Sequence, residues 1–306
     1  VRYGRIIGAA LTLALLGAGL AGCSTNTQAS GKIVAVGAEN QYADVIRSIG
    51  GSQVKVTAIL SNPNTDPHSF EASPKLASTL GSAQLVVRNG LGYDDWLTKL
   101  LKGTKTSDRT VISAQQVRHL PDSTKNPHLW YDPATMPAVA TRIAAGLTKI
   151  RPAKKAYFAK NLATFTRSMS RYTDALATLK AAHPGLAVAA TEPVANYLLD
   201  AVGADIKTPW SLQAAIMNGT DPSAQDSATQ ERLFTSREVN AFVYNEQVTS
   251  SLTTKYRKLA VAHGIPIVAV YETMPAGYGY VDWMVAEVHA LQKAADSGTS
   301  TQKLAR

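Results

Sequence analysis

Two α/β lobes joined by one long helix is the architecture this sequence predicts, and three observations predict it. Apolar, strand-like runs alternate with amphipathic helical stretches over residues 33–150. A helical periodicity then continues from about Ala153 to Ala182. The strand–helix alternation restarts at Leu186 and runs to Ala295. Alternation of this kind favours parallel sheets covered by helices.

Taken in order, Lys32–Val36 reads as a strand and Gln41–Ile49 as an amphipathic helix. Gln53–Leu60 alternates apolar and polar residues, as a strand does. Ser73–Leu80 reads as a helix with Ser73 as cap and Pro74 in the first turn. Gln84–Arg88 and the segment around Val111 are short strands, with a helix over Asp94–Leu101 between them. Asp132 is placed to cap a helix opening at Pro133. The long helical pattern carries Tyr157, Leu162, Phe165, Met169, Tyr172, Leu176 and Leu179 at spacings mostly of three to four, and stops at His183-Pro184-Gly185. At about 1.5 Å per residue it would be roughly 45 Å long, a spine rather than a crossover. Strands follow at Leu186–Ala190, Asn240–Tyr244 and Ile265–Tyr271. Helices follow at Val194–Val202, Asp226–Phe234, Leu252–His263 and Tyr280–Ala295. The expected organisation is therefore two Rossmann-like lobes, 33–150 and 185–295, bridged by a linking helix over 151–184.

The ends read differently. Arg2 and Arg5 precede an apolar run, Ile6–Leu20, that is short and rich in glycine and alanine. This is the pattern of an export signal rather than of a membrane span. It closes on Leu20-Ala21-Gly22-Cys23, which looks like a bacterial lipobox. Cys23 is the only cysteine in 306 residues, so it serves no internal disulfide, and lipidation gives it a purpose. Residues 1–22 are thus expected to be a lipoprotein signal peptide, 23–32 a flexible tether, and 296–306 a disordered polar tail. The expected location is the extracytoplasmic face of a bacterial cell membrane.

The formal charge is +9, of which Arg2 and Arg5 belong to the leader, and the basic residues are scattered. No basic stripe interleaved with aromatics and no zinc-finger or RNA-binding signature is present, so nucleic acid is not the expected partner.

Chemistry concentrates elsewhere. Asp66-Pro67-His68 and Asn126-Pro127-His128 are near copies, each setting an imidazole directly after a proline. Proline fixes its own φ and biases the residue before it, which holds the neighbouring side chain at a defined angle. In open α/β sheets, ligands bind beyond the carboxyl ends of the strands. His68 follows the strand ending at Leu60, and Glu192, Glu246 and Glu272 each follow a strand of the second lobe. A cleft between lobes would bring imidazole and carboxylate together. Two imidazoles and two carboxylates suit Mn²⁺, Fe²⁺ or Zn²⁺, and two carboxylates neutralise a divalent ion. Pattern alone does not choose two of the three glutamates. His119, His183, His263 and His289 lack the proline context and read as structural.

These residues carry a resemblance to the zinc/manganese-type, TroA-like solute-binding lipoproteins of bacterial ABC transporters. The matching stretches are Asp66–Glu71 with Ser73-Pro74, Asn126–Pro133, Thr191-Glu192-Pro193 with Tyr197, and Glu272-Thr273-Met274. The resemblance implies a rigid linking helix and a metal held in the interlobe cleft by His68, His128, Glu192 and Glu272, with Glu246 as a supporting residue. It implies a monomeric receptor that delivers Mn²⁺ or Zn²⁺ to a membrane permease and its ATPase, and no enzyme activity. The His- and acid-rich loop of zinc-scavenging relatives is missing, since Gln115–Lys125 holds only His119 and Asp122. A carboxylate as third ligand favours manganese, and zinc can occupy the same site. Two rivals are a surface-anchored zinc-dependent hydrolase, with Glu246 as base, and a metal-binding adhesin. No HExxH cluster supports the first.

Overall fold

The structure, a computed structural model, describes residues 1, 31–62, 70, 74–104, 106 and 108–304. The leader, Cys23, His68 and Glu71 lie outside the described residues.

The first lobe runs β1 (Ile33–Glu39), α1 (Asn40–Gly50), β2 (Val54–Leu60), α2 (Pro74–Gly81), β3 (Leu85–Arg88), α3 (Asp95–Gly103), β4 (Thr110–Ser113), α4 (Ala114–Val117) and α5 (Thr135–Ile150). Its sheet is wholly parallel in the order β2-β1-β3-β4, with Val36 opposite both Thr57 and Val86. β1 and β3 are nearly continuous apolar runs because helices cover both faces. Gly37 lets α1 turn back closely onto β1: a Cβ there would stand 2.4 Å from the Ala43 nitrogen.

The second lobe repeats the plan with β5 (Ala187–Ala190), α8 (Asn196–Ala201), β6 (Asp205–Ile206), α9 (Trp210–Met217), α10 (Ala224–Thr235), β7 (Ala241–Asn245), α11 (Ser251–Ala262), β8 (Ile267–Val270) and α12 (Tyr280–Ser297). Its order is β6-β5-β7-β8, again parallel. Each sheet therefore has a point where successive connections leave in opposite directions, between β1 and β3 and between β5 and β7. Such switch points open a crevice at the strand C-termini.

Between the lobes lie α6 (Lys155–Ser168) and α7 (Ser170–Ala182), in place of one unbroken helix. The interruption is slight. Met169 keeps helical dihedrals, and the Tyr172 N–H bonds three residues back to its carbonyl. One contiguous apolar core joins the lobes through Trp130, Tyr131, Tyr172, Tyr280 and Trp283, all buried.

One expectation is corrected. The segment after Ala295 is not a disordered tail over its described part. α12 continues to Ser297, and Thr301 pairs with Val268 along the edge of β8. The Thr301 N–H reaches the Ile267 carbonyl at 2.7 Å, and the Ala269 N–H reaches the Thr301 carbonyl at 2.9 Å. The tail thereby covers an edge strand that would otherwise present unpaired backbone groups. α9 has no counterpart in the sequence pattern. Its run WSLQAAIM is apolar on most sides and gives no helical stripe. No helix of the described residues is long and apolar enough to cross a membrane.

Candidate functional site

Asn126 explains why the second Pro-His triplet begins with an amide. Its Oδ1 accepts the His128 backbone N–H at 3.0 Å and lies 2.8 Å from His128 Nδ1. Its Nδ2 donates to the Pro193 carbonyl in the other lobe at 2.9 Å. With its amide fixed that way, Asn126 Oδ1 is an acceptor, so the ring proton belongs on Nδ1 and Nε2 presents its lone pair. A partner that fixes the tautomer in this way is characteristic of ligating histidines.

His128 Nε2 faces Glu272 Oε2 at 3.3 Å, and both side chains are fully buried. With the proton on Nδ1, two acceptors face one another there, an arrangement that a cation or a shared proton relieves. Tyr93 donates its hydroxyl to the same Oε2 at 3.0 Å, and Tyr93, His128 and Trp130 meet edge to face. Burial and then the Glu272 carboxylate push the Tyr93 phenol well above its usual range, so it stays a donor.

The second carboxylate is tied to the first by one amide. Asn245 Nδ2 donates to Glu192 Oε2 at 2.6 Å and to Glu272 Oε1 at 2.8 Å. Glu192 and Asn245 are themselves buried. Gln247 holds the backbone beyond β8: its Oε1 accepts the N–H groups of Glu272 and Thr273. Across the cleft, Asn40 pairs with both backbone groups of Met274, at 2.7 and 2.9 Å. Gln41 Nε2 donates to the Glu272 carbonyl at 3.3 Å. The site thus lies where the two switch points face each other, walled by short-range neutral donors.

Of the predicted residues, the fold brings together His128, Glu192 and Glu272, through direct contact or the Asn245 bridge. His68 lies outside the described residues. Among the described residues, no three His, Cys, Asp or Glu side chains already form a metal-holding group.

Glu246 is a correction. Its carboxylate pairs with Arg257 of α11 at 3.3 Å, and that guanidinium lies 5.0 Å from the Tyr244 ring. It is engaged by Arg257 rather than by the His128, Glu192 and Glu272 cluster. The reason is the alternation of β7. Ala241 and Val243 belong to the core shared between the lobes, whereas Phe242 and Tyr244 belong to the core under α10 and α11. Asn245 and Gln247 continue the first face, and Glu246 the second. Counting in twos along β7 is the signal that would have found them. Tyr93 had no such signal, because it comes from the loop after β3.

Behind Tyr93 sits a further acidic pair. Burial, and then the neighbouring Asp94, raise the Glu39 carboxyl well above the usual range against the pull of Arg88. Asp94 is held by the Asn89 and Gly90 N–H groups and by Arg88.

Comparison with known proteins gives a consistent picture. A sequence model of the family described as ZnuA, zinc-uptake complex component A, periplasmic, matches residues 36–294. The metal ABC transporter substrate-binding lipoprotein FimA of Streptococcus parasanguinis is 30% identical over 176 residues, 53% of this chain and 56% of that one. The manganese ABC transporter substrate-binding lipoprotein PsaA of Streptococcus pneumoniae is 29% identical over 177 residues, with the same coverage. The chain thus spans about half the length of these relatives. The structure of the periplasmic zinc-binding protein TroA from Treponema pallidum superposes with a TM-score of 0.73 at 18% identity, covering 88% of this chain and all of that one.

Proposed function

We propose, from the premise that this chain belongs to the ZnuA family of periplasmic zinc-uptake components, that it is an extracytoplasmic receptor which captures a divalent transition metal for import. It hands Mn²⁺ or Zn²⁺ to a membrane permease driven by an ATPase, acts as a monomer, and makes or breaks no covalent bond. Cys23 would carry the lipid anchor, residues 23–32 the tether, and residues 151–184 the connection between the lobes.

The observation that carries this reading is the cluster of His128, Glu272 and Glu192, buried between the lobes, with Asn126 orienting the imidazole and Asn245 spanning both carboxylates. His128 Nε2 and one oxygen from each glutamate would bind the ion, and His68 would supply the remaining nitrogen. Two carboxylates and a divalent cation sum to zero charge, which makes burial of the filled site tolerable. Manganese is favoured over zinc because half of the donor set is carboxylate. The chain's similarity to the manganese ABC transporter lipoprotein PsaA and the metal ABC transporter lipoprotein FimA supports the transport role.

Isothermal calorimetry with Mn²⁺ and Zn²⁺, together with the metal content of protein purified without added metal, tests the proposal. His128→Ala and Glu272→Gln should each weaken metal binding by about a hundredfold or more. Unchanged affinity in both variants would refute it.

A further inference from the structure

Beside the metal-site residues, at the mouth between the lobes, lies a second cavity of about 420 Å³. Leu91, Tyr93, Lys125 and Pro127 line it from the first lobe, and Trp210 and Met217 of α9 from the second. Its size falls within the range of roughly 300–1,000 Å³ that small-molecule sites occupy.

The lining is wrong for a bare metal ion and right for something else. Among the described residues no aspartate, glutamate or histidine lines it, so these residues offer a divalent cation no ligand there. Among the described lining residues the one charged group is the Lys125 ammonium, which is exposed and has no ion pair among the described residues. The walls mix polar and apolar surface: an indole, a phenol ring, a proline, a leucine and a methionine stand beside Gly92, Asn218 and Lys125, so an apolar body and a polar group both find partners. The chain also holds one wall in a costly conformation. Leu91 has φ of +55°, between Gly90 at +94° and Gly92 at +80°. Its N–H is pinned by Gln115 Oε1 at 3.0 Å. A leucine kept in the left-handed region needs such a restraint, and strain of this kind gathers at ligand sites.

We propose that this cavity binds a small organic carboxylate with an apolar or aromatic body. The ammonium of Lys125 pairs with the carboxylate, and the body lies against Trp210, Leu91 and Met217. The inner wall is Tyr93, whose hydroxyl already engages Glu272, so the occupant sits directly outside the carboxylate end of the metal site. The inference stands on the cavity's own lining and does not depend on metal capture.

Benzoate is the probe, because it has the right charge and shape and chelates metals weakly. Benzamide, of the same shape without the charge, is the control. Titration into the purified protein is followed by intrinsic tryptophan fluorescence, to which Trp210 is one of four contributors, and by calorimetry in parallel. Benzoate should quench saturably, benzamide should bind at least tenfold more weakly, and Lys125→Met should lose at least tenfold in benzoate affinity. Lys125 is exposed, so that variant leaves the fold intact. The inference is overturned if wild type shows no saturable benzoate signal, if benzamide matches benzoate, or if Lys125→Met binds benzoate as wild type does. Mn²⁺ titrations of the same proteins read the metal site separately. Failure of Mn²⁺ binding would count against metal capture and leave the benzoate result standing.

Discussion

Asn126 and Asn245 do for the site what no titratable group could do: they hold charged or ligating atoms in place without adding charge. Asn126 fixes the His128 tautomer from one side while bonding the Pro193 carbonyl from the other, so one amide orients the imidazole and ties two lobes. Asn126→Ala should lower Mn²⁺ affinity by about ten- to a hundredfold while the far-ultraviolet circular dichroism stays unchanged. Calorimetry reads the first and the spectrum checks the second; full affinity in the variant would deny the orienting role. Asn245 donates to two buried carboxylates at once. Asn245→Asp replaces that donor with a third negative charge in the same dry volume. The metal-free variant should lose roughly 3 kcal/mol or more of stability, which is about 6–12 °C in melting temperature for a chain of this size. A bound cation offsets the added charge, so Mn²⁺ should raise the melting temperature of the variant by more than it raises that of wild type. Equal increments in the two proteins would show that the amide and the carboxylates are not coupled to the metal.

At the scale of elements, strand ends decided which side chains reach the cleft, and the sequence showed the strands more clearly than their faces. The alternation placed β1, β2, β5, β7 and β8 and put Glu192 and Glu272 beyond the right ends. Glu246 was drawn into the same set because it also follows a strand, but its parity along β7 sends it to Arg257. Two other features were hidden for different reasons. α9 has no polar face to mark its period, and the pairing of Thr301 with Val268 depends on a partner some thirty residues away. The sharp β1–α1 connection is the element that presents Asn40 and Gln41 to the second lobe. It needs Gly37, because any Cβ would press on the Ala43 backbone. Gly37→Ala should cost about 1–3 kcal/mol in urea unfolding by forcing α1 off the sheet. Gly81, at the end of α2, whose added Cβ would meet nothing, is the control: Gly81→Ala should leave stability the same or slightly raised.

In the whole molecule the two sheets put their switch points face to face, and the joint between them contains a carboxyl outside the proposed metal site. Glu287 of α12 is buried, with its Oε1 accepting from the Trp283 indole at 2.8 Å and from the Tyr131 hydroxyl at 3.2 Å. Its Oε2 accepts no hydrogen bond from the described residues. Tyr131 comes from the first lobe and also bonds the Tyr271 carbonyl at 2.9 Å, one residue before Glu272. Burial pushes the Glu287 carboxyl up to about 8, against the pull of those two donors. In the unfolded chain the same group titrates near its ordinary value of about 4.3. Between these two values the folded protein keeps a proton that the unfolded chain has released. The unfolding free energy must therefore fall as pH rises through that window, by up to about 1.4 kcal/mol per pH unit. Below the window both states are protonated, and above it both are ionised, so this contribution to the slope disappears at either end. Glu287→Gln keeps the shape and removes the titration. Other buried carboxyls titrate in both proteins, so the difference between wild type and variant isolates this one. Urea unfolding of the metal-free proteins at pH 5 and pH 8 should show the variant gaining on wild type by several kcal/mol over that interval. Parallel pH dependences would mean that Glu287 is ionised in the folded joint, and that the lobes are held around a charge rather than around a neutral acid.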